Sequence, residues 1–321
     1  MTEQNIQKTT PVRQNNWAEI DRLEAELESV KMPKRKKGGM KFRQIFGNTV
    51  GQIFLTVLSI LWIIPLFYLI LHSFREEPGA FSTKFFPRNY TLQNYVQLFT
   101  EEKFPIWLKN TLWISIWSCL LTTIFVLMVA YAFSRIRFKA RKPIMNVMLI
   151  LGMFPGFMSM TAIYFLLQAI FGKSQPDRAA ISLILVYAGG AAMSYYVAKG
   201  FFDTVPKSLD EAARIDGASR FRIFRKIILP LSKPIVIYTI LISFIAPWCD
   251  FIFASLITGT NQDNWTVAVG MRNWVAERAN LNVKFTVFCA AAVVVAVPIT
   301  ALFMWLQKYY VQGVTGGAVK G

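Results

Sequence analysis

Few groups in this sequence could do covalent or metal chemistry. His72 is the single histidine, and the three cysteines, Cys119, Cys249 and Cys289, lie in apolar segments with no CxxC pair. That pattern argues against a Cys/His zinc site and against a disulfide framework. Gly172-Lys173-Ser174 has the ending of a phosphate-binding loop, but the glycine such a loop needs upstream would fall at Leu167. No catalytic, metal or cofactor site is expected. The most unusual ionisable group is Asp250, an acid within a long apolar run that also holds Tyr238 and Trp248. A charge placed inside a membrane is expensive, so such a residue is a functional candidate by default. The same residue could also bond to a neighbouring helix.

The elements that must position these groups are membrane spans. Apolar residues make up 54% of the 321 residues and charged ones 17%, where soluble domains carry about 25% charged. A soluble interior has too little room for that much apolar surface, and the bilayer takes it instead. A crossing helix needs about 20 mostly apolar residues. Six stretches qualify, at about 48–72, 109–133, 143–170, 179–199, 234–258 and 284–308. All should be helical, because lipid satisfies no exposed backbone group. Kinks or close helix contacts are expected at Pro155, Gly189-Gly190 and Ala191-Ala192. The first run starts too late for a signal peptide and reads as an uncleaved first span. The expectation is an all-α membrane protein of six transmembrane helices with cytoplasmic coupling helices.

The net charge of +17 could suggest a nucleic-acid binder. Placement decides otherwise. With both termini cytoplasmic, most of the 35 basic residues fall in the inside segments 1–47, 134–142, 199–233 and the C-terminal tail. The basic excess is then a topology signal, and no nucleic-acid partner is needed. Residues 1–47 form a separate cytoplasmic region. Trp17, Ile20, Leu23, Leu27 and Val30 predict a short amphipathic helix there, followed by the basic run Lys34-Arg35-Lys36-Lys37 beside anionic headgroups. Residues 48–321 form the membrane-spanning domain, with a long cytoplasmic loop at 205–234 and a tail at 309–321.

The coupling loop is the informative segment. Ser208 followed by Glu211 predicts a capping box and a helix start at Ser208. Leu209, Ala212 and Ala213 should share one side of that helix, and Gly217 can take the positive φ that ends it. A second amphipathic helix is expected with Phe221, Phe224, Ile227 and Ile228 on one face, ended by Pro230, before the span that opens at Pro234. Two short helices meeting at a glycine elbow form a docking element.

Glu211-Ala212-Ala213, then Gly217, Ile227 and Leu229-Pro230, resembles the signature loop of ABC-importer permeases at every position. Asp210, Asp216 and the Leu-Pro-Leu-x-x-Pro ending resemble the carbohydrate-importer branch. The C-terminal segment from Gln307 to Gly321 is similar to the tail of MalG-type (maltose/maltodextrin) permeases. The resemblance covers roughly residues 48–321. It implies one of two different permease subunits of the bacterial cytoplasmic membrane, a dimer of ATP-binding subunits that carry ATP and Mg, and an extracytoplasmic solute-binding protein that delivers sugar. Glu211, Ala212, Ala213, Asp216 and Gly217 would couple to the ATPase, with Glu211 paired to a basic residue there. Thr315, Gly316, Gly317 and Lys320 would lie in a tail between the ATPase subunits, the glycines giving a thin, adaptable backbone. The polar loop 259–283 would meet the binding protein through Asn261, Gln262 and Asp263. Asp250, Trp248 and Tyr238 are candidates for the transport path, since aromatic faces stack on sugar rings.

Other readings stay open at this point. The cargo could be a polyol, a sugar phosphate or an acidic oligosaccharide. An ion-coupled secondary transporter would need paired intramembrane charges or inverted repeats. A membrane scaffold that recruits an ATPase without transport would show no ligand-stimulated hydrolysis.

Overall fold

The computed structural model describes residues 42–80, 85–153, 156–172, 178–276 and 278–318. The expected helix in 1–41, its basic run, Pro155 and Lys320 lie outside the described residues. Residues 1–62 and 63–321 form two units, and the first helix begins in one and ends in the other.

That helix, α1 (Phe42–Ser73), has an apolar stretch in which no residue is buried. α2 (Gln93–Thr100) is short. α3 (Phe104–Arg135) is 32 residues long, about 48 Å at 1.5 Å per residue. α4 (Arg141–Gly152) and α5 (Gly156–Phe171) follow, then α6 (Ala179–Gly189) and α7 (Ala192–Thr204). The coupling segment contributes α8 (Lys207–Ile215) and α9 (Arg220–Leu231). α10 (Lys233–Cys249), α11 (Ile252–Thr258), α12 (Val267–Ala276) and α13 (Arg278–Ala318) complete the chain.

Among the described residues four helical stretches are long and apolar enough to cross a membrane, Thr49–Ser73, Phe104–Arg135, Ala179–Thr204 and Ala279–Tyr309. The other two expected spans do not appear as single helices of that length. The run at 143–170 is divided between α4 and α5, and the run at 234–258 breaks between α10 and α11. The second break has a visible cause. Asp250 is extended (φ −86, ψ 108), and its Oδ1 accepts the Phe253 N–H at 3.0 Å, capping α11. The bend expected at Gly189-Gly190 falls at Gly190-Ala191, between α6 and α7. The expected loop 259–283 is mostly helical, because Val267, Gly270 and Trp274 of α12 pack inward.

α3 is the central post. Three buried clusters are strung along it. Near its end, Val126, Leu127, Ala130 and Tyr131 pack with Phe202 of α7, Ile223, Phe224 and Ile228 of α9, and Ile235 of α10. At its middle, Ile114 meets Leu183 of α6, Phe253 of α11 and Val269 of α12. At its start, Phe104 and Trp107 meet Trp248 of α10, Trp274 of α12 and Val287, Ala290 and Ala291 of α13. Small residues, Ala290 and Ala291, let α13 come close.

α13 continues through Thr315, Gly316 and Gly317 to Ala318. The tail is therefore helical as far as Ala318. Extending an existing helix needs no new nucleus, which offsets the glycine penalty.

Candidate functional site

The coupling segment begins at Val205. Pro206 is extended (φ −58, ψ 131) and precedes the first turn of α8, so the helix starts at Lys207. The expected capping box is not formed, as no side chain caps this helix start. Proline already fixes the φ the entry needs, and Glu211 is exposed instead.

The end of α8 follows the expectation. Gly217 has φ +76, its N–H donates to Arg214 O at 3.0 Å, and the Ala218 N–H donates to Ala213 O at 2.9 Å. These paired bonds satisfy the last carbonyls and turn the chain with a left-handed residue. α9 then opens on a cap absent from the sequence reading, Ser219 Oγ accepting the Arg222 N–H at 3.3 Å. Residues Phe224–Ile228 form a π turn in which the Leu229 N–H reaches Phe224 O. The wider turn accommodates Pro230, which has no N–H to give. α9 and α10 meet at 85° across Ser232.

Two facial assignments need correction. Ala213 is half-buried against the cluster at the end of α3, while Leu209 and Ala212 point outward with Ile215, which is 87% exposed. In α9 the buried face is Ile223, Phe224 and Ile228, and Phe221 is exposed. The register of α9 is shifted by its own cap and π turn. The result is an exposed apolar row, Leu209, Ala212, Ile215 and Phe221, flanked by exposed Glu211 and Asp216.

What holds this element is a group sequence reasoning missed. Arg135, the last residue of α3, is buried. Its Nη2 donates to Phe202 O at 2.8 Å and Val205 O at 2.7 Å, so a guanidinium sits on the carbonyl end of α7, where cations are favoured. Its Nε lies 3.5 Å from Asp210 Oδ2, and both side chains are almost fully shielded, at 1% and 7% exposure. Tyr131 Oη donates to Arg220 O at 3.1 Å, and its ring packs 4.8 Å from that of Phe224. α3 thus grips α7, α8 and α9 together. The only signal in the sequence is a basic residue at the edge of a span, indistinguishable there from its neighbours Arg137, Lys139 and Arg141.

At the opposite end of α3 the candidate contact residues form a fixed turn. Asn261 Oδ1 accepts the Asp263 N–H at 3.1 Å, and Gln262–Asn264 make one turn of 3-10 helix. Trp107 Nε1 donates to Gln262 O at 2.8 Å, Asn110 Nδ2 donates to Asp263 O at 2.8 Å and Trp265 O at 3.1 Å, and Lys103 pairs with Asp263 at 2.8 Å. The side chains of Asn261, Gln262 and Asp263 remain exposed. This polar loop is wired to α3.

The transport-path candidates are not brought together. Asp250 lines a cavity of about 840 Å³ with Thr122, Tyr187, Tyr195, Ser194 and Ser243. Tyr187 Oη donates to Asp250 Oδ2 at 2.8 Å. Trp248 is buried in the cluster with Phe104 and Trp107, and Tyr238 is part-exposed; neither lines that cavity. Asp250 and Trp248 are two residues apart across the end of α10, so they leave the helix on different sides. Tyr187 and Tyr195, on α6 and α7, supply the aromatic groups there instead.

Among the described residues the chain is helical, with broken apolar runs and a glycine elbow at Gly217, and this is the fold class of ABC-importer transmembrane subunits. The chain belongs to the family described as binding-protein-dependent transport system inner membrane component, whose model matches residues 127–316. It is 35% identical over 286 residues to the galactooligosaccharides transport system permease protein GanQ of Bacillus subtilis (strain 168), covering 88% of this chain and 99% of that one. It is 36% identical over 269 residues to the maltodextrin transport system permease protein MdxG of the same organism, covering 84% and 95%. Its fold is similar to a chain in the crystal structure of a bacterial ABC transporter that imports the acidic polysaccharide alginate. The TM-score is 0.67 at 21% identity, covering 83% of this chain and 96% of that one.

Proposed function

We propose that this chain is one of two different permease subunits of an ATP-driven importer of oligosaccharides, docked to an ATPase dimer and served by an extracytoplasmic binding protein. The observation that carries the reading is the coupling segment. An apolar row with Glu211 beside it is held outward on a buried Arg135–Asp210 anchor. An exposed row of this kind at a membrane edge marks a protein partner. The names of the relatives, for galactooligosaccharides and for maltodextrin, favour oligosaccharide cargo.

In this reading Leu209, Ala212 and Ile215 enter a groove of the ATPase. Glu211 and Asp216 meet its basic groups, and Gly217 sets the angle between the two helices. Both termini are cytoplasmic, as the distribution of Lys and Arg favours. Residues 1–47 form a cytoplasmic region, and Thr315, Gly316, Gly317 and Lys320 reach the ATPase interface. Closure of the ATPase dimer moves α8 and α9. Because α3 grips both, the movement reaches the cavity beside Asp250. That cavity belongs to the sugar path, with Asp250 and its partner Tyr187 on its wall, and Asn261, Gln262 and Asp263 face the binding protein.

The test is ATP hydrolysis by the complete transporter in nanodiscs, with its binding protein and a panel of oligosaccharides. Wild type is expected to show sugar-dependent stimulation. Gly217→Pro, which forbids φ +76, is expected to lose it while the complex stays assembled. Sugar-independent hydrolysis, equal in both, would overturn coupling through this elbow.

A further inference from the structure

We propose that a cavity beside α8 binds a phosphate group, supplied by the headgroup of an anionic membrane phospholipid. The cavity has a volume of about 440 Å³ and lies between the end of α3, the start of α4 and the coupling segment. Six cationic side chains line it: Arg135, Arg137, Arg141, Lys207, Arg214 and Arg220. Asp210 and Glu211 are the two carboxylates on its wall. Six cations against two anions leave the space strongly electropositive.

Charge alone would not define a site; Arg135 does. It is buried, with 1% of its side chain exposed, and its Nη1 has no hydrogen-bond partner among the described residues. Nη2 is used on the carbonyls of α7 and Nε faces Asp210 Oδ2 at 3.5 Å, while Nη1 and Asp210 Oδ1 have no hydrogen-bond partner among the described residues. Buried donors without partners are costly. A planar guanidinium is the group best suited to a phosphate oxyanion, and Nη1 is the donor available for it.

The rim argues for a lipid source. Phe138 is exposed between Arg137 and Lys139. α4 opens on Arg141 and Lys142 and then exposes Ile144, Val147, Ile150 and Leu151. Basic residues followed within one turn by exposed apolar ones are placed at headgroup level, where acyl chains cover the apolar side. The site itself rests on the cavity; only its assignment to the cytoplasmic leaflet rests on the coupling reading above.

The experiment is native mass spectrometry of the purified full chain without ATPase, so that a failure of the coupling reading leaves it unaffected. The chain is offered phosphatidylglycerol and phosphatidylcholine in equal amounts. Removing Arg135 would also release α7, so the variant is Arg137→Gln/Arg141→Gln, at the rim. Wild type is expected to retain phosphatidylglycerol preferentially, and the double variant to lose about fivefold in binding per arginine removed. In a second arm, inorganic phosphate replaces chloride at constant ionic strength. Displacement of the lipid, with a raised melting temperature from phosphate alone, supports the site with free phosphate as its source. No displacement supports the lipid. Equal retention of the two lipids with no effect of phosphate overturns the proposal. So does a preference for phosphatidylglycerol that the double variant keeps, since the basic run at 34–37 would then be the binder.

Discussion

The two ends of α3 hold two loops by opposite means. At the Phe104 end, the turn at 261–265 is fixed by several exposed or half-buried bonds, from Lys103, Trp107 and Asn110. At the Arg135 end, the coupling segment is fixed by one buried guanidinium and a buried tyrosine, while its outer row of Leu209, Ala212 and Ile215 is exposed. Many weak ties keep one surface in a single shape. A few buried ties leave the other face free for a partner yet hand any push on it directly to α3. In the proposed function the coupling segment transmits movement, and a stiff root with an open face suits that role.

The comparison breaks most sharply at Arg135. Arg135→Met leaves the Asp210 carboxylate buried without its partner, a loss of about 3–5 kcal/mol. The expected readout is a large fall in melting temperature, or failure to recover folded protein from the membrane. The double variant Arg135→Met/Asp210→Leu leaves no charge stranded and is expected to regain much of that loss. If the single variant melts like wild type, Arg135 is not the root of the coupling segment.

A smaller effect is expected at the other end. A Cβ on Gly270 of α12 would sit 2.0 Å from Cε3 of Trp107, and Trp107 also holds Gln262. Gly270→Ala should cost about 1–3 kcal/mol, as overpacking does, and should disturb Trp107. A lower melting temperature together with an altered tryptophan emission spectrum is the expected result. An unchanged spectrum would show that Trp107 is free to move and that the turn is less fixed than its bonds imply.

The smallest effect belongs to Lys103 and Asp263, which are 47% and 57% exposed. Lys103→Gln should change stability by less than about 1 kcal/mol, since solvent screens such pairs. Sugar-stimulated hydrolysis should be nearly unchanged, because the turn keeps its bonds to Trp107 and Asn110. A loss of stimulation with normal stability would make this pair part of the contact with the binding protein and erase the difference between the two ends.

The coupling segment was legible in the sequence because its shape depends on local rules. Gly217 must be where the backbone turns left-handed, and it is, at φ +76. Its facial assignments failed where local rules gave way, at the Ser219 cap and the π turn before Pro230. The outer turn was placed correctly in sequence but misjudged in character. Its bonds join residues more than 150 positions apart, from Trp107 to Gln262 and from Asn110 to Asp263, and no local pattern carries that information. Asp250 stood out as an acid in an apolar run, yet its proximity to Trp248 in sequence misled. Position along a helix says nothing of which neighbour each side faces.

The sequence by itself determined that the chain lives in a membrane, that its elements are helices, and where the glycine elbow falls. Those follow from apolar length, from the need of every backbone group for a partner in lipid, and from a glycine that alone tolerates positive φ. Only the tertiary structure decided that two of the expected apolar runs are divided into shorter helices and that Arg135 roots the coupling segment. It also decided that Tyr187, not Trp248, meets Asp250. Each of these depends on which helices pack together, and packing in lipid is set by shape and by paired polar groups, not by the count of apolar residues.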